Sequence, residues 1–146
     1  MRTFISQEGR FSVMFPGSPQ KKSQPIVLQG GTSSTLWQFW VELQSGQITY
    51  MVMYNDYPPQ VVSAGAQNVL AKVRDGAAKG RTLTSDVTIE LNGVPGRAYT
   101  LTDSNGWNYS IHQFLAGERL YQLIVVSNKT HPANLTDQFM NSFRIR

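Results

Sequence analysis

Residues 97–127 constrain the fold of this chain more tightly than any other stretch. Residues 97–102 read as a strand, Asp103-Ser-Asn-Gly106 as a turn, and residues 107–115 as a second strand. Ala116-Gly117-Glu118 turns the chain again into a third strand, residues 119–126. Short hairpins need positive-φ positions, and Asn-Gly and Ala-Gly-Glu supply them. The third strand is apolar on both faces, with Leu120, Ile124 and Val126 on one and Tyr121, Leu123 and Val125 on the other. Such a strand belongs inside a sheet that is covered on at least part of each side. The rest of the chain must provide that cover.

The N-terminal third contributes more strands. Residues 3–6 form a short opening strand, Glu8-Gly9 a turn, and residues 10–15 a strand with Phe11, Val13 and Phe15 on one face. Pro16-Gly17-Ser18-Pro19 stops it, because proline lacks the ladder donor and glycine accepts the turn. Residues 20–24 are polar and basic, and are expected to be a solvated loop leading to Pro25-Ile-Val-Leu28. Gly30-Gly-Thr-Ser-Ser34 has no Gly-Lys-Ser/Thr and no helical pattern after it, so a hairpin turn is a better reading than a phosphate cradle. Strands follow at residues 35–43 and 47–54.

The period then changes. Pro58-Pro59 opens a helix, proline being tolerated in the first turn. Across residues 60–79, Val62, Ala66, Val69, Leu70, Val73 and Ala77 form one apolar stripe at spacings of three and four. Gly65 and Gly76 each weaken the helix by about 1 kcal/mol relative to alanine, and Gly80 is placed to end it. This helix is expected to lie across one face of the sheet. Residues 81–91 return to strand, with Val87, Ile89 and Leu91 facing together, and Asn92-Gly93 marks a hairpin. A short C-terminal helix over residues 133–141 places Leu135 and Phe139 on one side, and residues 142–145 end the chain extended or as a fraying turn. The expected class is α+β, an antiparallel β-sheet covered by one long helix and a short C-terminal helix, in one domain spanning 1–146.

Composition narrows the function classes. The chain has 146 residues, enough for a real core, with 40% hydrophobic and 11% aromatic residues. Charged residues are only 15%, against about 25% in an average soluble domain. That lightly charged, polar surface leans towards an extracytoplasmic setting, periplasm or lumen, if a signal segment has been removed; no signal is visible at Met1-Arg-Thr-Phe4, and otherwise the protein is cytoplasmic. The net charge is +4, but the basic residues are scattered, so a soluble basic surface is preferred to a nucleic-acid groove. With no cysteine, disulfides and thiolate chemistry are excluded. No apolar run approaches the roughly 20 residues of a membrane span.

Three stretches together resemble the PsbP-like superfamily, which includes the photosystem II extrinsic protein PsbP, the Ran-binding Mog proteins and many bacterial proteins. Glu8-Gly-Arg-Phe-Ser-Val-Met-Phe-Pro16 is similar to the family's Gly-Phe-Ser opening, Arg119-Leu-Tyr-Gln-Leu123 to its Leu-Tyr strand, and Phe139-Met-Asn-Ser-Phe-Arg144 to its Phe-x-x-Ser-Phe helix end. Pro16-Gly17-Ser18-Pro19 departs from the frequent Pro-x-x-Trp. The resemblance implies an α/β/α sandwich and a non-enzymatic interaction module, and it transfers no catalytic residue, because the matched positions are structural.

No catalytic constellation stands out. The only histidines, His112 and His131, lie in a strand and before a proline, without a metal-binding pattern around either. Gly-x-Ser-x-Gly is absent, and the acids suggest no working pair. No catalytic, metal or cofactor residue is therefore expected, and no cofactor. The leading expectation is a protein-binding or assembly module, monomeric or weakly dimeric, with a candidate surface of Trp37, Trp40, Tyr54, Tyr57 and Trp107. The alternative is a small-ligand carrier with a pocket between sheet and helix, discriminated by an aromatic-lined void holding polar groups such as His112.

Overall fold

The structure is a computed structural model, and it describes residues 1–28 and 30–146. Its strands are β1 (Arg2–Ser6), β2 (Phe11–Phe15), β3 (Gln20–Val27), β4 (Ser33–Leu43), β5 (Ile48–Asp56), β6 (Thr82–Leu91), β7 (Val94–Thr102), β8 (Trp107–Ala116), β9 (Arg119–Asn128) and β10 (Arg144–Ile145). Among the described residues the helices are α1 (Pro59–Val62), α2 (Ala66–Ala78) and α3 (Thr136–Asn141).

Seven strands form one antiparallel sheet in the order β3-β4-β5-β9-β8-β7-β6. The doubly apolar strand β9 is the central one, as its composition demands. Tyr121, Leu123 and Val125 enter the main core on one face, while Leu120 packs under the helices on the other. The turn at Asn92-Gly93 has φ of 49° and 85°, the two successive positive values of a tight hairpin.

Above the main face of this sheet sits a second, three-stranded sheet, β1-β2-β10, in which the C-terminal strand pairs with β2 at Ser12 and Phe11. Alternation in β2 aims its rings down into the core. Phe11 is fully buried and lies 5.6–6.1 Å, ring centre to ring centre, from Phe4, Phe39, Tyr54, Tyr121 and Phe143. Tilted and edge-on contacts of this kind add about 0.5–1.5 kcal/mol each beyond burial. Helix α3 plugs the same layer, its Phe139 against Phe15 and Tyr50.

The opposite face carries α1 and α2. Val69 and Leu70 are buried against Leu115 and Leu120, with Val62, Ala66 and Val73 half-buried around them. Helix α2 is also tied electrostatically: Arg74 and Arg97 both reach Asp86 on β6, at 2.5 and 2.9 Å. Burial pushes the Asp86 carboxyl up, but hydrogen bonds from Arg97 and Arg74 outweigh it and hold the carboxyl below its ordinary value.

The structure corrects the sequence reading at five places. Residues 20–24 are not a loop but the first part of edge strand β3, paired with β4. An edge strand with little cover over it needs no apolar alternation, and tolerates Pro25. The expected long helix is broken at residues 63–65, where Gly65 has φ of 102° and starts α2 afresh. The apolar stripe continues across the break. The first two strands join a separate sheet rather than the central one. Val87 is 57% exposed, because β6 is the last strand and the cover stops short of it. The C-terminal helix begins at Thr136 rather than 133, where the Leu135 N–H donates to the Tyr50 hydroxyl at 3.3 Å instead of to a helical carbonyl.

Candidate protein-docking groove

Strand pairing places side chains from five strands in one transverse row on the helix-bearing face: Trp40, Met51, Ile124, Ile111 and Tyr99. Helix α2 packs on β7 and β8, so it covers the Tyr99 end of that row. The Trp40 end lies across β4 and β5, beyond the strands on which α2 packs. Trp40, Met51, Trp107, Tyr109 and Val126 there line a groove of about 510 Å³, with Lys22 and Glu42 also in its wall. All five apolar and aromatic residues are half-buried, so each presents part of its side chain to the groove.

The five sequence-predicted surface residues fall in three places. Trp40 and Trp107 share the groove. Trp37 and Tyr54 lie on the opposite face of the sheet, stacked at 6.4 Å with a 19° interplanar angle. Tyr54 is only 4% exposed and belongs to the main core, so it offers no surface. Trp37 is half-buried, and the Lys21 ammonium sits 5.0 Å from its ring centre. Tyr57 stands beside α1 in a different cleft, and burial pushes its hydroxyl pKa up while the neighbouring Asn55 side chain opposes the shift.

Met51, Tyr109 and Val126 were missed. Each is an ordinary strand residue, and only the register, which sets Trp40 opposite Met51 and Tyr109 opposite Val126, brings them beside the tryptophans. Alternation did carry a signal for Tyr109, two residues from Trp107 and on its face.

Next to Trp37 and Tyr54 is a polar notch. Arg119 donates from Nε and Nη2 to the Asp56 carboxylate at 2.7 and 2.9 Å, and from Nη1 to the Glu8 carbonyl at 3.1 Å. Its guanidinium also lies 4.7 Å from the centre of the Tyr54 ring. The hydrogen bond from Arg119 lowers the Asp56 pKa against the opposing effect of burial. With its donors so engaged, Arg119 clasps the turn after β1 to the central sheet. It is not poised for a ligand.

The histidines do not meet at a common centre. His112 is half-buried on the core side, edge-on to Phe114, and burial lowers its pKa while Asp137 opposes the shift. His131 is exposed in the loop before α3, with Nδ1 3.1 Å from the Thr130 hydroxyl. Among the described residues, no three His, Cys, Asp or Glu side chains are grouped to hold a metal ion.

A seven-stranded antiparallel sheet, with helices on one face and a small sheet plus a short helix on the other, defines a layered α+β class. Within it, the chain is similar to cyanobacterial PsbP (CyanoP) from Synechocystis, with a TM-score of 0.61 at 9% identity, covering 99% of this chain and 92% of that one. The chain has the PsbP-like fold. A second solved structure, from Bacteroides thetaiotaomicron, has 10% identity and a TM-score of 0.46 over 99% of this chain and 48% of that one. No protein-family model and no curated protein sequence matches the chain.

Proposed function

We propose that this protein is a non-enzymatic binding module that docks a protein partner in the groove between Trp40 and Trp107. The observation that carries this reading is the half-covered sheet face. Helix α2 shields one end of a continuous apolar row and leaves Trp40 and Met51 half-buried at the other, with Trp107 sharing their groove. Trp, Tyr and Met are enriched in the cores of protein interfaces, and Trp and Tyr among the residues that dominate binding energy. Lys22 and Glu42 in the wall supply charges of both signs for a polar rim. The non-enzymatic part rests on the side chains that could do chemistry being otherwise engaged: Arg119 in its clasp, Asp86 between two arginines, His112 against Phe114.

The test is a chemical cross-linking pull-down from the source organism's extract, comparing wild type with the Trp40→Ser/Trp107→Ser double variant and with Trp37→Ser. The expected result is a reproducible partner lost with the double variant and kept with Trp37→Ser. A partner retained by a folded double variant would overturn the groove as the docking site.

The carrier alternative draws support from a different feature, a cleft beside α1 and α2. It contains Tyr57 but not His112, which lies on the other side of the sheet.

A further inference from the structure

Val27 and Leu28, at the end of β3, face α1 and α2 across a cleft of about 570 Å³. Sites for small molecules run to roughly 300–1,000 Å³. One wall is Val27 and Leu28, the other Val61, Val69 and Val73. Val27 is 76% exposed, the most exposed large apolar side chain among the described residues.

Two further observations point to an occupant. Among the described residues lining the cleft, Lys72 is the only charged one; Tyr57, Gln60 and Asn68 are polar and the rest are apolar or glycine, so the lining carries a single cation and no anion. Gly76 is the second. It sits inside α2 with ordinary helical φ, where glycine costs about 1 kcal/mol relative to alanine. A Cβ at Gly76 would meet no atom within 4 Å. No packing constraint requires glycine there, and the residue lines the cleft.

We propose that this cleft binds a single-chain amphiphile with a carboxylate head: the alkyl chain lies along the valines past Gly76, and the carboxylate pairs with the Lys72 ammonium. Burying each methylene contributes about 0.8 kcal/mol, so the chain supplies most of the affinity and Lys72 the choice of head group. The site is separate from the Trp40–Trp107 groove, and shares no residue with it.

The experiment is calorimetric titration of the full chain with monomeric dodecanoate, and in parallel with dodecyltrimethylammonium and with vesicles of anionic phospholipid. Variants are Gly76→Leu, which blocks the cleft, Lys72→Glu, and Trp40→Ser/Trp107→Ser as the control for the other groove. Dodecanoate is expected to bind in preference to the cationic amphiphile. Lys72→Glu should weaken it by about two- to fivefold. Gly76→Leu should abolish binding while leaving the Tm unchanged or higher, since leucine is the better helix former. The Trp40→Ser/Trp107→Ser variant should bind as wild type. The proposal is overturned if dodecanoate does not bind, if Gly76→Leu leaves binding intact, or if only vesicles bind. Loss of binding in the Trp40→Ser/Trp107→Ser variant with Gly76→Leu unaffected would likewise overturn it, placing the ligand in the other groove.

Discussion

The two faces of the central sheet are made by the same strands with the same alternation, yet they end in different physical states. On the core side, the small sheet and α3 close over Phe39, Tyr54, Tyr121 and Phe114 with rings from β2 and the C-terminal segment. On the other side, α1 and α2 span only part of the width and leave Trp40, Met51 and Trp107 half-buried. The aromatics do not differ in kind between the faces. What differs is whether a second layer reaches them, and that is what separates a core ring from a half-exposed one.

The comparison yields predictions that descend in size. Phe11→Ala, at the hub of the closed side, should cost about 3–5 kcal/mol of stability in urea or guanidinium unfolding. A loss below 1 kcal/mol would show that the small sheet is not a true layer of the core. Gly9→Ala should be next, at about 1–3 kcal/mol, because its Cβ would stand 2.7 Å from the Tyr54 ring and 2.8 Å from Phe11. A neutral Gly9→Ala would mean the closed side is more loosely packed than drawn.

His112 marks the margin of the closed side, and it makes the comparison pH-dependent. Burial lowers its folded pKa from 6.5, with Asp137 working the other way. Between the folded pKa and 6.5 the unfolded chain therefore binds the extra proton, so stability is full above 6.5 and declines as pH falls below it. Unfolding midpoints from pH 8 to 5 should show this slope in wild type and a weaker one in His112→Gln. Equal slopes would place His112 effectively in water. The smallest effect belongs to the open side: Trp40→Ala should cost well under half of what Phe11→Ala does, since its ring is already partly solvated. A loss equal to that of Phe11 would make Trp40 a core residue and remove the groove.

Much of this contrast was legible in the sequence. Phe11, Val13 and Phe15, the Tyr121, Leu123 and Val125 face of β9, and Val69 and Leu70 in the helical stripe are buried as their patterns specify, while Ile124 and Val126 on the other face of β9 stay half-buried. Gln20-Lys-Lys-Ser-Gln24 was not legible as a strand. Its conformation is imposed by backbone pairing with β4, which leaves no mark on side-chain type at an edge. Nor could the candidate surface be sorted: Trp40 and Tyr54 look alike in sequence, and only strand order and the reach of α2 decide which stays open. Trp37, Tyr54 and Tyr57 were grouped with the groove residues for that reason. The cleft beside Lys72 left even less trace, since residues 27 and 28 face two helices there without any local pattern.

The small sheet joins residues from opposite ends of the sequence: Phe11 lies opposite Ile145, and the Met14 N–H donates to the Ser142 hydroxyl. Contacts across that many residues form late, because loop closure must precede any reward from pairing. During folding, the ring-lined side of the seven-stranded sheet therefore waits for residues 139–145 before it can seal. A ribosome-bound chain lacking them exposes Tyr54, Tyr121 and Phe114 to its neighbours, and that interval is when aggregation competes with assembly.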